Sequence, residues 1–185
     1  NSAKYVLEAS VKYLVLSATA SGFMLFGMAL IYAQTGTLAF SSLLDTRLVI
    51  SDTYTIAAVS LISAGIAFKL SLAPFHIWTP DVYEGSPIPS TTYLATIGKA
   101  AMFVVLLRFV EISDALTFKS VVAVFSIIAV ISIMAGNLLA LMQDNLKRIL
   151  AYSSIAHMGY LLIAVIASFF AVGTVSIEAV TFYLL

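Results

Sequence analysis

Ala64-Gly65-Ile66-Ala67-Phe68-Lys69-Leu70-Ser71-Leu72-Ala73-Pro74 sets a lysine, and five residues later a proline, inside one apolar run. The run begins near Thr53 and ends near Trp78. A helix needs about 20 apolar residues, at about 1.5 Å each, to cross a hydrocarbon layer about 30 Å thick. Lys69 falls about 16 residues from the start of this run, too deep for a headgroup anchor. Pro74 removes a backbone donor and clashes with the turn before it, so the helix is expected to kink or break near Pro74. Non-helical backbone at membrane depth is tolerated only where protein or water covers it. A charged group beside such a break is the arrangement that ion sites in transporters reuse.

The rest of the chain fits the same solvent. Of 185 residues, 62% are hydrophobic and 10% charged, whereas a soluble domain averages roughly 45–50% apolar and about 25% charged. No soluble fold of this size hides so much apolar surface, so the solvent is lipid. The formal net charge is zero, which gives no sign of a nucleic-acid partner or an acidic substrate. The chain has no cysteine, which excludes disulfides, thiolate metal sites and cysteine-held iron–sulfur clusters. It does not begin with Met, and it stops at Thr181-Phe182-Tyr183-Leu184-Leu185 within an apolar run. A fragment of a longer protein is therefore expected.

Spans are expected at about 7–34, 53–78 with its break near Pro74, 89–110, 118–142, 146–169, and an incomplete one at 176–185. The connections are short and polar, as at Asp45–Arg47 and Gln143–Asn145, and no linker divides the chain. These runs are too long and continuous for the alternating ten-residue segments of a membrane β-barrel. The expected fold is an all-α, polytopic transmembrane bundle, one domain over 1–185 that forms part of something larger. Lys4, Lys147 and Arg148 fall on one side, with Lys12 just inside it, and Arg47, Arg108 and Lys119 on the other. With Lys12 counted, the excess puts the N-terminal edge in the cytoplasm.

Ionisable residues inside spans cost at least about 2.5–3.5 kcal/mol each on insertion scales and are functional candidates by default. Lys69 and Lys99 are the deepest, and each needs a buried partner or water. His157 lies about 11 residues into the fifth run and reads either as a proton-carrying group or as a hydrogen-bonded packing residue. Lys12, four residues after Glu8, shares a helical face with it. Lys12 and Lys147 also fit side chains that snorkel to an interface. Arg108 and Lys119 read as solvated ends, and His76 and Trp78 as interfacial anchors. Lysine suits proton transfer because burial disfavours the ammonium while a nearby carboxylate favours it, so a moving carboxylate loads and unloads the group. Ser63, Ser71, Thr96, Ser153 and Ser154 fit either a hydrated path or small packing positions.

The stretch Phe68-Lys69-Leu70-Ser71-Leu72-Ala73-Pro74-Phe75-His76-Ile77-Trp78-Thr79-Pro80-Asp81-Val82-Tyr83-Glu84-Gly85-Ser86-Pro87 closely resembles the signature of the antiporter-like membrane subunits of respiratory complex I, the NADH:quinone oxidoreductase. Gly136–Leu141 continuing through Asn145–Tyr160, and Glu8–Tyr13, are similar to the same family. The resemblance implies a fourteen-helix subunit, of which this chain is the sixth to tenth helices and the start of the eleventh. It implies that Lys69 is the central lysine on a discontinuous helix, that Lys99 is the lysine of the following helix, and that Lys12 leads toward a glutamate upstream of Asn1. A last charged site is expected beyond Leu185. The loop Asp81–Pro87 is expected on the cytoplasmic side.

Three functions compete. The first is a non-redox subunit of a proton-translocating NADH:quinone oxidoreductase. Its relay would run through Lys12, Lys69 and Lys99, with His157 and Lys147 as further candidates. NADH, FMN, iron–sulfur clusters and quinone would then belong to other subunits, with no cofactor in this chain. Its partners would be the other membrane subunits of the complex and the lipid bilayer, in a bacterial inner membrane. The second is a subunit of a multisubunit cation/proton antiporter, and the third is a membrane scaffold. The Trp78-Thr79-Pro80-Asp81-Val82-Tyr83 form favours the first, and the two deep lysines argue against the third.

Overall fold

The computed structural model describes residues 2–39, 43, 53–113, 116, 119–170 and 183. The loop at Asp45–Arg47 and, Tyr183 apart, the start of a sixth span at 176–185 lie outside them. The described residues are helical without any strand: α1 (Ser2–Thr35), α2 (Thr53–Lys69), α3 (Trp78–Gly85), α4 (Ile88–Ala95), α5 (Ile97–Ser113), α6 (Lys119–Leu141) and α7 (Leu146–Phe170). Among the described residues four stretches are long and apolar enough to cross a membrane: Val6–Thr35, Ile88–Glu111, Lys119–Leu141 and Leu146–Ser168. Large apolar side chains such as Leu14, Leu25, Phe26 and Leu141 face outward, which suits contact with lipid or with other membrane helices rather than with water.

Two helix pairs make the frame. The first pairs α1 with α2 and the second α6 with α7, while the short α3 touches both α1 and α7 and so joins them; α5 lies against α2. Each pair closes through glycine. Lipid gives apolar helices no hydrophobic reason to associate, so close backbone approach supplies the packing instead. A Cβ on Gly27 would stand 2.8 Å from Ala58 O, and one on Gly65 2.9 Å from Ala20 O. On the second pair, a Cβ on Gly136 would stand 2.7 Å from both Ala156 N and Tyr152 O, and one on Gly159 3.0 Å from Ala129 O.

The second span is interrupted between α2 and α3. The chain leaves the helix at Lys69, before it reaches Pro74, by a Schellman turn. Ser71 sits in the left-handed region at φ 60; its N–H donates to Phe68 O at 3.0 Å, and Leu72 N–H donates to Ala67 O at 2.9 Å. A non-glycine residue in that conformation costs about 1–2 kcal/mol, and here side chains hold it. Thr79 Oγ1 donates to Ser71 Oγ at 2.8 Å with both residues fully buried. Ala73 N–H donates to Ser132 Oγ of α6 at 2.9 Å, and Trp78 Nε1–H to Phe68 O at 3.2 Å. Pro74 lies within the non-helical stretch 70–77.

Trp78 corrects an expectation. It is 4% exposed and stacks on Phe68 at 5.3 Å between ring centroids, so it fastens the start of α3 to the end of α2 and is not an interfacial anchor. The third span carries a finer irregularity that was not anticipated. Thr96 departs from helical angles (φ −112, ψ −82) and separates α4 from α5, three residues before Lys99. The hydrogen bonds Thr96 N–H to Thr92 O and Ala100 N–H to Thr96 O carry the chain across it.

Gly136→Ala is expected to force α6 and α7 apart and to destabilise the chain by about 1–3 kcal/mol, the usual range for overpacking. Gly22→Ala, where an added Cβ meets nothing within 4 Å, is expected to leave it unchanged or slightly more stable. Thermal unfolding of the two variants in detergent checks the contrast.

Candidate functional site

The two deep lysines are held in the same way. Lys69 is the last residue of α2, half-buried, and donates from Nζ to Ser17 Oγ of α1 at 2.7 Å. Lys99, in the first turn of α5, is 1% exposed and donates to Ser154 Oγ of α7 at 2.7 Å. Its Nζ also lies 5.9 Å from the ring centroid of Tyr83 on α3, within reach of a cation–π attraction. Among the described residues neither ammonium meets a carboxylate. For Lys69 the carbonyl end of α2 supplies negative potential; for Lys99 the aromatic face does so.

The serine partners differ from most hydroxyls around them. Ser10, Thr19, Ser21, Thr92, Ser113 and Ser132 each donate to the carbonyl one turn back in their own helix, the habitual way for a hydroxyl to satisfy itself in an apolar helix. Ser17 and Ser154 instead accept from lysines 52 and 55 residues away in sequence. Ser154 was among the candidates for a polar path. Ser17 was not, and nothing in its local sequence separates it from the other serines of α1.

Carboxylates gather at one end of the bundle. Asp81 of α3 accepts from Lys12 Nζ at Oδ2 and from Arg148 at Oδ1, each at 3.0 Å. Lys12 also pairs with Glu8 at 2.7 Å, the contact its spacing predicts. Arg148 reaches Glu84 at 2.9 Å and donates from Nε to Gln143 Oε1 at 2.9 Å, while Asn145 Nδ2 donates to Glu84 Oε1 at 3.0 Å. These bonds tie α1, α3 and α7 together at that end. Arg108 is exposed, with Glu111 as its partner at 3.2 Å, and Lys119 is exposed.

Among the described residues the remaining candidates form no hydrogen bond with the deep lysines, although His157 follows Ser154 by three residues on α7. Lys147 donates from Nζ to Ser86 O at 2.8 Å and to Glu84 O at 3.4 Å, so it closes the carbonyl end of α3 as a cation does at a helix C-terminus. His157 is exposed on α7 and its Nδ1 bonds the hydroxyl of Tyr183. His76 is half-buried, its Nδ1 without a hydrogen-bond partner among the described residues. No three His, Cys, Asp or Glu side chains among the described residues converge on a point that would hold a metal ion.

The arrangement therefore has a charged mouth, where carboxylates and cations neutralise one another, and an interior where the described ammoniums meet hydroxyls and an aromatic face but no carboxylate. A groove of about 500 Å³ between α1, α3 and α4 carries Ser10, Tyr13, Ser17, Ser86 and Ser90 on its walls. It runs beside Ser17, the partner of Lys69.

Comparison with known proteins gives a consistent picture. The family model described as NADH:quinone oxidoreductase/Mrp antiporter, transmembrane, matches residues 1–185. The chain is 53% identical over 180 residues to NADH-quinone oxidoreductase subunit N of Acinetobacter baumannii, a match covering 96% of this chain and 36% of that protein. Among solved structures it is similar to a chain of respiratory complex I from Thermus thermophilus with bound aureothin, at 43% identity and a TM-score of 0.70 over 86% of this chain and 34% of the other. It is also similar to a chain of the Mrp complex from Dietzia sp. DQ12-45-1b, at 26% identity and a TM-score of 0.83 over 96% of this chain and 32% of the other. The chain thus spans about a third of the length of these relatives.

Arg148→Lys is expected to loosen the mouth almost as much as Arg148→Ala. A compact ammonium cannot present the guanidinium's planar fork to Asp81 and Glu84 together. Hydrogen exchange at the amides of α3 reads this: faster exchange is expected in both variants, and protection equal to wild type in Arg148→Lys counts against the network.

Proposed function

The chain belongs to the NADH:quinone oxidoreductase/Mrp antiporter transmembrane family, and on that footing we propose that it is the lysine-bearing part of a proton-translocating subunit of a bacterial NADH:quinone oxidoreductase. Protons pass along Lys12, Lys69 and Lys99 in a bacterial inner membrane, driven by quinone reduction in other subunits. The NADH, flavin, iron–sulfur and quinone chemistry is theirs; this chain supplies sites that take up and release a proton. The other membrane subunits of that complex are its partners.

One observation carries the reading: Lys69 and Lys99 each sit beside an interruption of a span, against a serine on another helix. An ammonium held by a neutral hydroxyl is not locked in its charged form as it would be by a carboxylate. It releases its proton when its surroundings change, and the short α3, joined to both helix pairs, is the element placed to change them. Lys12 stands at the mouth paired with Glu8 and Asp81, so it passes a proton inward only when those carboxylates draw away. Lys147, bonded to the carbonyls of Glu84 and Ser86, closes the end of α3, and His157, three residues after Ser154 on α7, stays a further proton-carrying candidate.

A second reading has support from the fold. The Mrp chain superimposes more closely than the complex I chain, 0.83 against 0.70. The sequence favours the first, since identity to the oxidoreductase subunit is 53% and to the Mrp chain 26%. Proton flux driven by sodium without any redox partner would support the antiporter.

In the intact complex, reconstituted in vesicles, Lys69→Ala is expected to lower quinone-coupled proton uptake by roughly tenfold or more, the scale on which a positioned proton carrier acts. Lys69→Arg is expected to fail likewise, because arginine keeps its proton. Wild-type pumping in an assembled Lys69→Ala complex overturns the relay, and activity retained by Lys69→Arg removes the need for deprotonation.

A further inference from the structure

Two hydroxyls beside Lys99 are placed for transfer. Ser154 Oγ accepts from Lys99 Nζ at 2.7 Å, and its own O–H is not tied to a carbonyl one turn back, as those of Ser113 and Ser132 are. Tyr83 is 1% exposed. Its phenol oxygen is buried without a hydrogen-bond partner among the described residues. A buried polar atom left unpaired costs about 1–3 kcal/mol, and an orphaned group of this kind calls for an explanation such as a water or a catalytic role. The Tyr83 ring meanwhile lies against the same ammonium. Lysine, serine and phenol thus come from α5, α7 and α3 to one point.

We propose that Ser154 and Tyr83 form the hydroxyl pair through which Lys99 exchanges its proton, a role that rests on the proton-translocating reading above. In one transfer the Lys99 ammonium gives a proton to Ser154 Oγ, Ser154 gives its own hydroxyl proton to Tyr83 Oη, and Tyr83 gives its phenolic proton to a water molecule. One N–H bond breaks, each hydroxyl loses one O–H bond and gains another, and the water leaves as hydronium. Lys99 ends neutral and both side chains are restored. Reversing the sequence reloads the lysine. The pair joins Lys99 to α3, so a displacement of α3 relative to α7 makes or breaks the path without moving Lys99.

The test uses the intact complex in inverted membrane vesicles, with proton uptake followed by a pH-sensitive dye and assembly checked by the amount of complex recovered. Ser154→Ala is expected to slow uptake by roughly tenfold, and Ser154→Thr, which returns the hydroxyl, to restore it to within about twofold. Tyr83→Phe keeps the ring over Lys99 and removes only the oxygen; it is expected to slow uptake as Ser154→Ala does. Wild-type uptake in Ser154→Ala or Tyr83→Phe overturns the pair, and so does a Ser154→Thr variant as slow as Ser154→Ala, which would make Ser154 a packing residue. Should Ser154→Ala not assemble, Tyr83→Phe decides by the same criteria. Lys99→Ala run alongside separates the two levels. If it stops uptake while Ser154→Ala and Tyr83→Phe do not, only the pair falls; if it pumps normally, the lysine relay falls with it.

Discussion

A backbone that leaves the helix inside a membrane has no water to satisfy the groups it frees. Each unpaired N–H or C=O costs several kcal/mol there, and the stretch from Leu70 to Ile77 is built around that constraint. The Schellman turn takes the N–H groups of Ser71 and Leu72, Ser132 of α6 takes that of Ala73, Thr79 N–H donates to His76 O, and at the edge of the stretch the Trp78 indole reaches back to Phe68 O. Because those partners lie on fixed helices, they also set the position of α3. That short helix touches both α1 and α7, and with the core that α2 shares with α6 and α7 it fixes how the two pairs sit against each other.

Closing the interruption in this way places the charges as well. The end of α2 at Lys69 brings its ammonium to Ser17, and α3 delivers Tyr83 to Lys99 and Asp81 to the mouth. Residues of Trp78–Gly85 therefore touch a buried ammonium with one side chain and a surface ion network with another, within one eight-residue helix. Gly136 and Gly159 serve the same end at a distance. By letting α6 approach α7 closely, they keep Ser132 beside the interruption while Ser154 stays on Lys99.

Four of the expected spans and the placing of two lysines within apolar runs were legible in the sequence for one reason: a charge is conspicuous in an apolar run, and span length follows from the thickness of the bilayer. The Glu8–Lys12 pair was legible from helical spacing. Their remote partners were not. Ser17 and Ser154 meet the lysines across 52 and 55 residues, and serine is so common in membrane helices that it carries no signal of its own. Trp78 reads as an anchor because aromatic residues at the end of an apolar run usually are; only the fold shows that a buried helix, α3, restarts at Trp78 itself. Pro74 marks the interrupted stretch, but the turn itself is made at Ser71, whose left-handed conformation no residue type announces. Nor does Thr96 announce the kink ahead of Lys99, with no proline near it.

The distribution of carboxylates has a further consequence. Among the described residues Glu8, Asp81, Glu84, Glu111 and Asp144 all sit at helix ends or in connections, and the interior holds ammoniums with hydroxyls and an aromatic face. Two like charges so placed in a low-dielectric bundle raise each other's energy, on top of about 2.5–3.5 kcal/mol for inserting each. Such an interior accepts two protons readily only when negative charge is brought toward it. Under the proton-carrying role proposed above, a carboxylate that approaches and withdraws would load and unload the lysines, because a nearby negative charge favours the ammonium and its removal disfavours it.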